Sequence, residues 1–224
     1  MIITIDGPSG TGKSTIAKLL AAKLQISFFD TGALYRALAW WVAHEKISWD
    51  RITQVLGNFI FSVKEDEGNK EYFVSDINVT QEIRKKEITE MASKIAAVKE
   101  VRAALLPIQK EYARKGDFVF EGRDLGTVVF PEAEVKIFLT ARSDVRAKRR
   151  YKEMLEKDPM LKIELQDVLE SLDKRDAQDV NREIAPLKCP EGAFILDSSD
   201  LTIHQVVEIL YQHILTKKRA CKVG

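Results

Sequence analysis

Short apolar segments and amphipathic segments alternate along the first part of the chain. The continuous apolar run at residues 2–5 predicts a buried strand of a parallel sheet. From about Lys13 the apolar positions recur at helical spacing, which predicts a helix. A second strand is predicted at 27–29 and a second helix from Ala33 into the forties. This order of strand, helix, strand and helix is typical of a wound α/β sheet.

The pattern changes between about residues 59 and 79. Three β-like runs at 59–63, 71–74 and 77–79, with turn residues at 66–69, predict a small antiparallel insert outside the main sheet. Two helices are predicted after it, at about 80–97 and 99–115. Pro107 is expected to kink the second helix or to begin a new turn.

The α/β pattern returns in the second half of the chain. Buried-strand candidates lie at 118–120, 135–139 and 193–196. A final amphipathic helix is predicted at about 202–215, followed by a solvated basic run at 217–219. Together with the two strands near the start, these candidates predict a five-stranded parallel sheet flanked by helices.

The composition narrows the class of protein. Of 224 residues, 45% are hydrophobic and 31% are charged, and the formal net charge is +1. Proteins that bind nucleic-acid polymers usually have a basic excess, so we expect no such partner. The apolar runs are too short for a membrane span and no secretory signal is recognised, which predicts a cytoplasmic protein. Cys189 and Cys221 lack metal-ligand spacing and are interpreted as reduced thiols.

A phosphate-binding motif follows the first predicted strand. Residues 7–14 have the sequence GPSGTGKS and match G-x4-G-K-[ST], directly before a predicted helix. In such a loop, backbone N–H groups surround phosphate oxygens, the lysine contacts the β- and γ-phosphates, and the hydroxyl after it ligates Mg²⁺. We therefore predict ATP as co-substrate and Mg²⁺ at Ser14. The residues assigned to the nucleotide are Gly7, Pro8, Ser9, Gly10, Thr11, Gly12, Lys13, Ser14 and Thr15.

Two further clusters follow predicted strands, where ligands bind in sheets of this kind. In the segment DTGALYR at 30–36, Arg36 is a candidate for a second phosphate, although alone it is also compatible with a solvated surface arginine. In EGRDLGT at 121–127, Arg123 provides a donor fork for a phosphate and Asp124 an acceptor for an amino group of a base. A surface salt bridge between these two neighbours is the less favoured interpretation.

A third cluster is cationic. Arg142, Arg146, Arg149 and Arg150 are spaced so that they share one face of a predicted helix. Like charges on one face repel, and the transferred phosphoryl group is an anion that would offset this. We therefore predict catalytic roles for Lys13, Arg146, Arg149 and Arg150. A solvated helix with Asp144 and Glu153 as partial partners is the alternative.

Other classes of nucleotide-binding protein fit less well. A GTPase needs the guanine-binding pattern N-K-x-D, and NKEY at 69–72 lacks its aspartate. A nucleotide-dependent switch with a protein partner remains as one alternative. A P-loop kinase for another small acceptor, such as a UMP/CMP, thymidylate or shikimate kinase, remains as the other.

Five segments together resemble the bacterial-type cytidylate kinases over nearly the whole chain. They are ITIDGPSGTGKST, DTGALYR, EGRDLGTVVFP, KRDAQDVNREIAPL and ILDSSDLT. The resemblance implies a P-loop nucleotide-binding core, a nucleoside monophosphate (NMP)-binding region with an antiparallel insert, and a short arginine-bearing lid. It also implies CMP and dCMP as phosphoryl acceptors. We further expect the protein to be a monomer. The acceptor-binding residues it implies are Thr31, Arg36, Ser93, Arg102, Arg123, Asp124, Arg175, Asp179 and Arg182.

The implied roles divide among the parts of the acceptor. Arg36, Arg123 and Arg182 bind the phosphate, and Arg175 and Asp179 hold the pentose. Cytosine is bound by Ser93, Arg102 and Asp124.

Two positions depart from some relatives. Ser14 replaces a glycine, which leaves the hydroxyl role to Ser14 or Thr15, and Gln178 replaces an arginine, which removes one charge near the lid. The resemblance divides the single kinase domain of 1–224 into three parts. They are a core at 1–30, 96–141 and 160–224, an NMP-binding region at 31–95 and a lid at 142–159.

Overall fold

The computed structural model describes residues 1–66 and 69–223 and separates into two compact units. The first unit contains residues 1–29 and 113–224, and the second contains residues 30–112. Of the turn predicted at 66–69, residues 67 and 68 lie outside the described residues, as do the side chains of Arg219 and Cys221. Among the described residues, no helix has the length and apolar character needed to span a membrane.

Strands and helices alternate along the chain as follows. The strands are β1 (Ile2–Asp6), β2 (Ser27–Asp30), β3 (Phe61–Asp66), β4 (Asn69–Val74), β5 (Ile77–Asn78), β6 (Phe118–Glu121), β7 (Val135–Thr140) and β8 (Phe194–Asp197). The helices are α1 (Lys13–Leu24), α2 (Thr31–His44), α3 (Ile52–Val55), α4 (Lys86–Ile95), α5 (Lys99–Arg114), α6 (Ser143–Lys157), α7 (Leu165–Asn181) and α8 (Ile203–Val223).

The first unit is built on a five-stranded sheet in the order β2-β6-β1-β7-β8. β1 lies at the centre and pairs in parallel with β6 through Ile3 and Val119, and with β7 through Ile5 and Ile137. Ile3 and Ile5 are fully buried, because α1 and α8 pack apolar side chains against this sheet. The predicted parallel sheet flanked by helices is confirmed. The carboxyl ends of β1, β6 and β7 meet at one edge, which is where the site is built.

The second unit contains the antiparallel insert, and its three strands confirm the prediction. The helix predicted at 80–97 is wrong at its start, because α4 begins only at Lys86. Thr80 accepts a hydrogen bond from the Tyr72 N–H at 2.9 Å, which ties this segment to β4. A short 3-10 turn at Glu82–Arg84 follows before the helix begins.

Of the two outcomes predicted for Pro107, the new turn does not occur: α5 continues through the proline, which removes one N–H from the helix without ending it. The kink stays a prediction, whereas the predicted end of the last helix is wrong. α8 runs to Val223, well beyond the predicted end at 215, so the basic run is helical. Lysine and arginine form helices readily and interact favourably with the carboxyl end of a helix dipole.

Candidate active site

Glycines shape the loop between β1 and α1. Gly10 has φ of 77° and Gly12 has φ of 89°, both in the left-handed region that residues with side chains rarely adopt. The N–H of Ile16 donates to the Gly12 carbonyl at 3.0 Å, so α1 begins directly after the loop. Free N–H groups at such a helix start bind anions, and the loop therefore has the form that binds phosphate groups.

Gly7 lies where there is no room for a side chain. Its φ is 147°, and a Cβ here would lie 2.1 Å from the carbonyl oxygen of Leu139 in β7. We expect Gly7→Ala to lower the free energy of unfolding by at least about 3 kcal/mol, from backbone strain plus steric overlap. Urea unfolding measures the change.

Gly116→Ala is the matched control for this prediction. Gly116 has φ of 151°, but no atom lies within 4 Å of its would-be Cβ, so only the backbone strain is added. The cost at this position should be about 1 kcal/mol. Equal losses in the two variants would contradict the steric explanation.

Lys13 is buried within the loop that precedes it. Its Nζ donates to the Pro8 carbonyl at 2.6 Å and lies 3.4 Å from the Thr11 hydroxyl oxygen. Burial, followed by the nearby Arg123 guanidinium, lowers the pKa of Lys13 to about 7. A polyphosphate in the loop would favour the charged ammonium. The environment of Lys13 therefore favours the charged ammonium only when an anionic ligand is bound in the loop.

Ser9 is the point at which three charged side chains meet the loop. Its N–H donates to the Asp176 carboxylate at 2.8 Å, and its carbonyl accepts from Arg146 at 2.9 Å. Its hydroxyl accepts from Arg123 at 3.0 Å. Arg146 also forms an ion pair with Asp176, and both side chains are largely buried. This network joins the loop to α6 and α7.

Arg123 and Asp124 follow β6 and pair with the end of α7. Arg123 donates to Asp179 at 3.0 Å, and Asp124 accepts from Arg182 at 3.1 Å. Arg182 also lies 3.8 Å from Asp179. Burial lowers the pKa of Arg123, but the negative charges of Asp179 and Glu121 raise it by more. The pKa of Arg123 is therefore raised overall. The surface salt bridge considered for this sequence pair is therefore replaced by a buried network of alternating charges.

Arg175 belongs to the same region of the first unit. It is half-buried on α7, and its charge is one of those that lower the pKa of Lys13. Gln178 is exposed on the same helix.

Ser14 lies next to a carboxylate. Ser14 is exposed, and its hydroxyl donates to Oε1 of the buried Glu121 at 2.8 Å. A hydroxyl and a carboxylate are the hard oxygen ligands that Mg²⁺ prefers. Among the described residues there is no group of three or more His, Cys, Asp or Glu that could hold a metal by itself. A Mg²⁺ ion here would take phosphate and water oxygens as its remaining ligands, as is usual for this ion.

The arginine row of α6 has protein partners. Arg142 donates twice to Asp200, both at 2.8 Å, and Arg149 donates to the Ser198 carbonyl at 2.6 Å. Arg150 is half-exposed and pairs with Glu153. The expectation that this row awaits an anion to offset its repulsion is therefore corrected, because protein acceptors offset it. They come from another segment for Arg142 and Arg149 and from α6 itself for Arg150. Of the row, Arg146 contacts the loop.

Four predicted site residues lie in the second unit. Asp30 caps α2 by accepting from the Ala33 N–H at 2.9 Å, and it also accepts from Arg36 at 2.9 Å. Arg102 on α5 is largely buried, donates to the Ala96 carbonyl at 3.1 Å and lies over the ring of Tyr35. The other two are Thr31, which is buried at the start of α2, and Ser93, which is half-buried on α4.

The fold and the site define a class of protein, the P-loop kinases. Comparison with known proteins defines the family: residues 3–216 match the family described as cytidylate kinase. The chain therefore belongs to the cytidylate kinase family.

Curated relatives agree over nearly their full length. A cytidylate kinase of Protochlamydia amoebophila is 49% identical over 98% of this chain and 99% of its own. One from Chlamydia caviae is 46% identical over 93% of this chain and 95% of its own. One from Marinomonas sp. is 44% identical over 94% of this chain and 93% of its own.

Three acidic residues of the site were not assigned a role from the sequence. Asp176 contacts the loop, Glu121 contacts Ser14, and Asp6 binds the turn after Asp124. Asp176 lies three residues before Asp179 on α7, and this helical spacing was an available signal. Asp6 and Glu121 each end a predicted buried strand, and carboxylates are rarely buried unless they are paired.

Proposed function

We propose that the protein transfers the γ-phosphoryl group of ATP to CMP or dCMP, giving ADP and CDP or dCDP. A phosphate oxygen of the acceptor attacks the γ-phosphorus, and the bond from that phosphorus to the bridging oxygen of ADP breaks. The observation that carries the proposal is the network around Ser9, because it joins the phosphate-binding loop directly to the Arg123–Asp179 pair.

ATP is assigned to the loop of residues 7–15. The backbone N–H groups of the loop bind the phosphates, and the Lys13 ammonium stabilises the negative charge that develops on the transferred group. Arg146 has the best-supported catalytic role of the arginine row, since it already contacts the Ser9 carbonyl. Arg149 and Arg150 can act in catalysis only if they leave their present partners. Closure of a lid at 142–159 would release them.

Mg²⁺ is assigned to Ser14, with Glu121 as the carboxylate that orients the hydroxyl. When bound, the ion neutralises charge on the phosphates as the transfer proceeds. The Ser14 hydroxyl is accessible and aligned by its hydrogen bond, so this chain presents an oxygen ligand next to the loop.

The acceptor is assigned to a set of charged and hydroxyl side chains. Arg123, Arg182 and Arg36 bind its phosphate, and Arg175 and Asp179 bind its pentose. Thr31 contributes a hydroxyl. We assign the same boundaries as above to the core, the NMP-binding region and the lid. We also propose that the protein acts as a monomer in the cytoplasm on these small molecules.

Cytosine is distinguished from uracil by the direction of two hydrogen bonds. Cytosine offers an N4 amino donor beside the N3 acceptor, and uracil reverses both. Asp124 accepts from N4, while Arg102 or Ser93 donates to N3. A buried site built for one pattern leaves polar groups unpaired with the other, which is costly.

A panel of acceptors tests the proposal. CMP, dCMP, UMP and AMP are each offered with ATP and Mg²⁺, and ADP release is measured in a coupled assay. We expect CMP and dCMP to give kcat/KM values at least about tenfold above UMP, which corresponds to about 1.4 kcal/mol of discrimination. Equal rates with all four acceptors, or ADP release without any acceptor, would overturn it.

A further inference from the structure

Asp6 ends β1 directly beside the turn that follows Asp124. Its side chain is fully buried, and its two oxygens accept from the backbone N–H groups of Leu125 and Gly126 at 2.9 and 2.8 Å. These two donors belong to the residues immediately after Asp124. The Asp6 carboxylate at the end of β1 therefore holds the backbone directly after Asp124, the second carboxylate.

The turn is confined on its other sides. Residues Leu125–Val129 form a single π-helical turn, in which the Asp124 carbonyl accepts from the Val128 N–H at 2.9 Å. A Cβ added at Gly126 would lie 2.7 Å from Pro190 Cγ, so the turn has no space to shift toward that proline. Asp6 fixes the direction of two N–H groups of this turn, those of Leu125 and Gly126.

Ionised Asp6 is kept at this position at a cost in stability. Burial raises the pKa of Asp6 to about 6, although the two N–H donors lower it. Asp124 raises this pKa and Lys13 lowers it. Burial raises the pKa of the Cys189 thiol, and the Asp6 charge adds to that rise. Because the folded pKa lies above that of the unfolded chain, ionisation of Asp6 destabilises the fold as the pH rises toward 6. A neutral residue would avoid this cost, which points to a role other than stability.

We propose that Asp6 is the positioning residue for base selection: by accepting the two N–H groups after Asp124, it sets the direction in which the Asp124 carboxylate meets the acceptor base. The inference rests on the proposed contact of Asp124 with cytosine N4. Each carboxylate oxygen of Asp6 accepts from one of the two N–H groups, and in the same geometry asparagine would turn an amide N–H toward one of the two donors.

The first test compares Asp6→Asn with Thr4→Val. Thr4 is also fully buried against this turn, and its hydroxyl has no hydrogen-bond partner among the described residues, so it is the matched control. The readout is the ratio of kcat/KM for CMP to that for UMP at saturating ATP, with the Kd of ATP measured separately. We expect Asp6→Asn to lower the ratio about tenfold, the size of one misdirected charged hydrogen bond. Thr4→Val should leave it unchanged.

A double variant separates positioning from a general structural role. If Asp6 acts through Asp124, adding Asp6→Asn to Asp124→Asn lowers the ratio no further than Asp124→Asn alone. Independent, multiplying losses would overturn the proposal. So would a wild-type ratio in Asp6→Asn accompanied by a lower Tm, since that is the result of a purely structural residue.

The pH dependence of the wild-type protein provides a further test, with Asp6→Asn as its control. The phosphates of CMP and UMP titrate alike and cancel in the ratio, so we expect the ratio to fall as the pH is lowered through about 6. In Asp6→Asn the ratio should be flat over the same range. A flat wild-type profile would overturn the proposal. A wild-type protein that does not phosphorylate CMP would instead overturn the proposed function, so the two failures are distinguishable.

Discussion

Lys13→Ala leaves a folded protein whose kcat with ATP and CMP falls by at least about a hundredfold, or about 2.7 kcal/mol of barrier. The ammonium stabilises the negative charge of the transition state more than that of bound ATP. Its loss therefore affects the chemical step more than ground-state binding. The fold should survive, because the Thr11 hydroxyl also donates to the Pro8 carbonyl that Lys13 contacts. Removing a buried amine with a lowered pKa also removes a desolvation cost.

Lys18→Ala is the control for this prediction. Lys18 lies on the same helix but is exposed, so its removal should change kcat by less than about twofold. Steady-state kinetics and the thermal midpoint are measured on both variants. Activity of Lys13→Ala within about tenfold of wild type would contradict the assignment of the loop to catalysis.

The fold was predictable because its local signals agree with its packing. The apolar run at 2–5 is buried on both faces of the sheet, so its composition directly reflects its environment. The start of α4 was not predictable in this way. Thr80 and the residues after it have a helical pattern, but a hydrogen bond from a strand residue holds them out of the helix.

The partners of the site residues were less predictable than their types. Spacing along α6 places Arg142, Arg146 and Arg149 near one another, yet each pairs with a segment distant in sequence. Asp176 and Asp200 supply two of these partners, and the pattern along a single helix carries no information on them. The spacing along α6 therefore predicted which residues lie together but not the segments that they contact.

Asp124→Asn is expected to lower kcat/KM for CMP by about tenfold to a hundredfold, while the Kd of ATP stays near the wild-type value. The loss corresponds to one charge-assisted hydrogen bond, worth about 1.5–3 kcal/mol. Asp124 and Arg182 are both largely buried and joined at 3.1 Å, so the variant also weakens the hold on an arginine assigned to the acceptor phosphate. That part of the effect applies equally to every nucleoside monophosphate.

The ratio of kcat/KM for CMP to that for UMP isolates the effect on the base. Loss of the phosphate contact lowers both values and cancels, whereas loss of the N4 contact lowers the value for CMP alone. An asparagine can also turn its amide toward the O4 of uracil, which would raise the value for UMP. We therefore expect the ratio to fall in Asp124→Asn and to stay constant in Asp117→Asn, an exposed carboxylate that pairs with the chain's amino terminus. An unchanged ratio with a lower kcat/KM for both acceptors would assign Asp124 to holding Arg182, and base selection would then belong to residues other than Asp124.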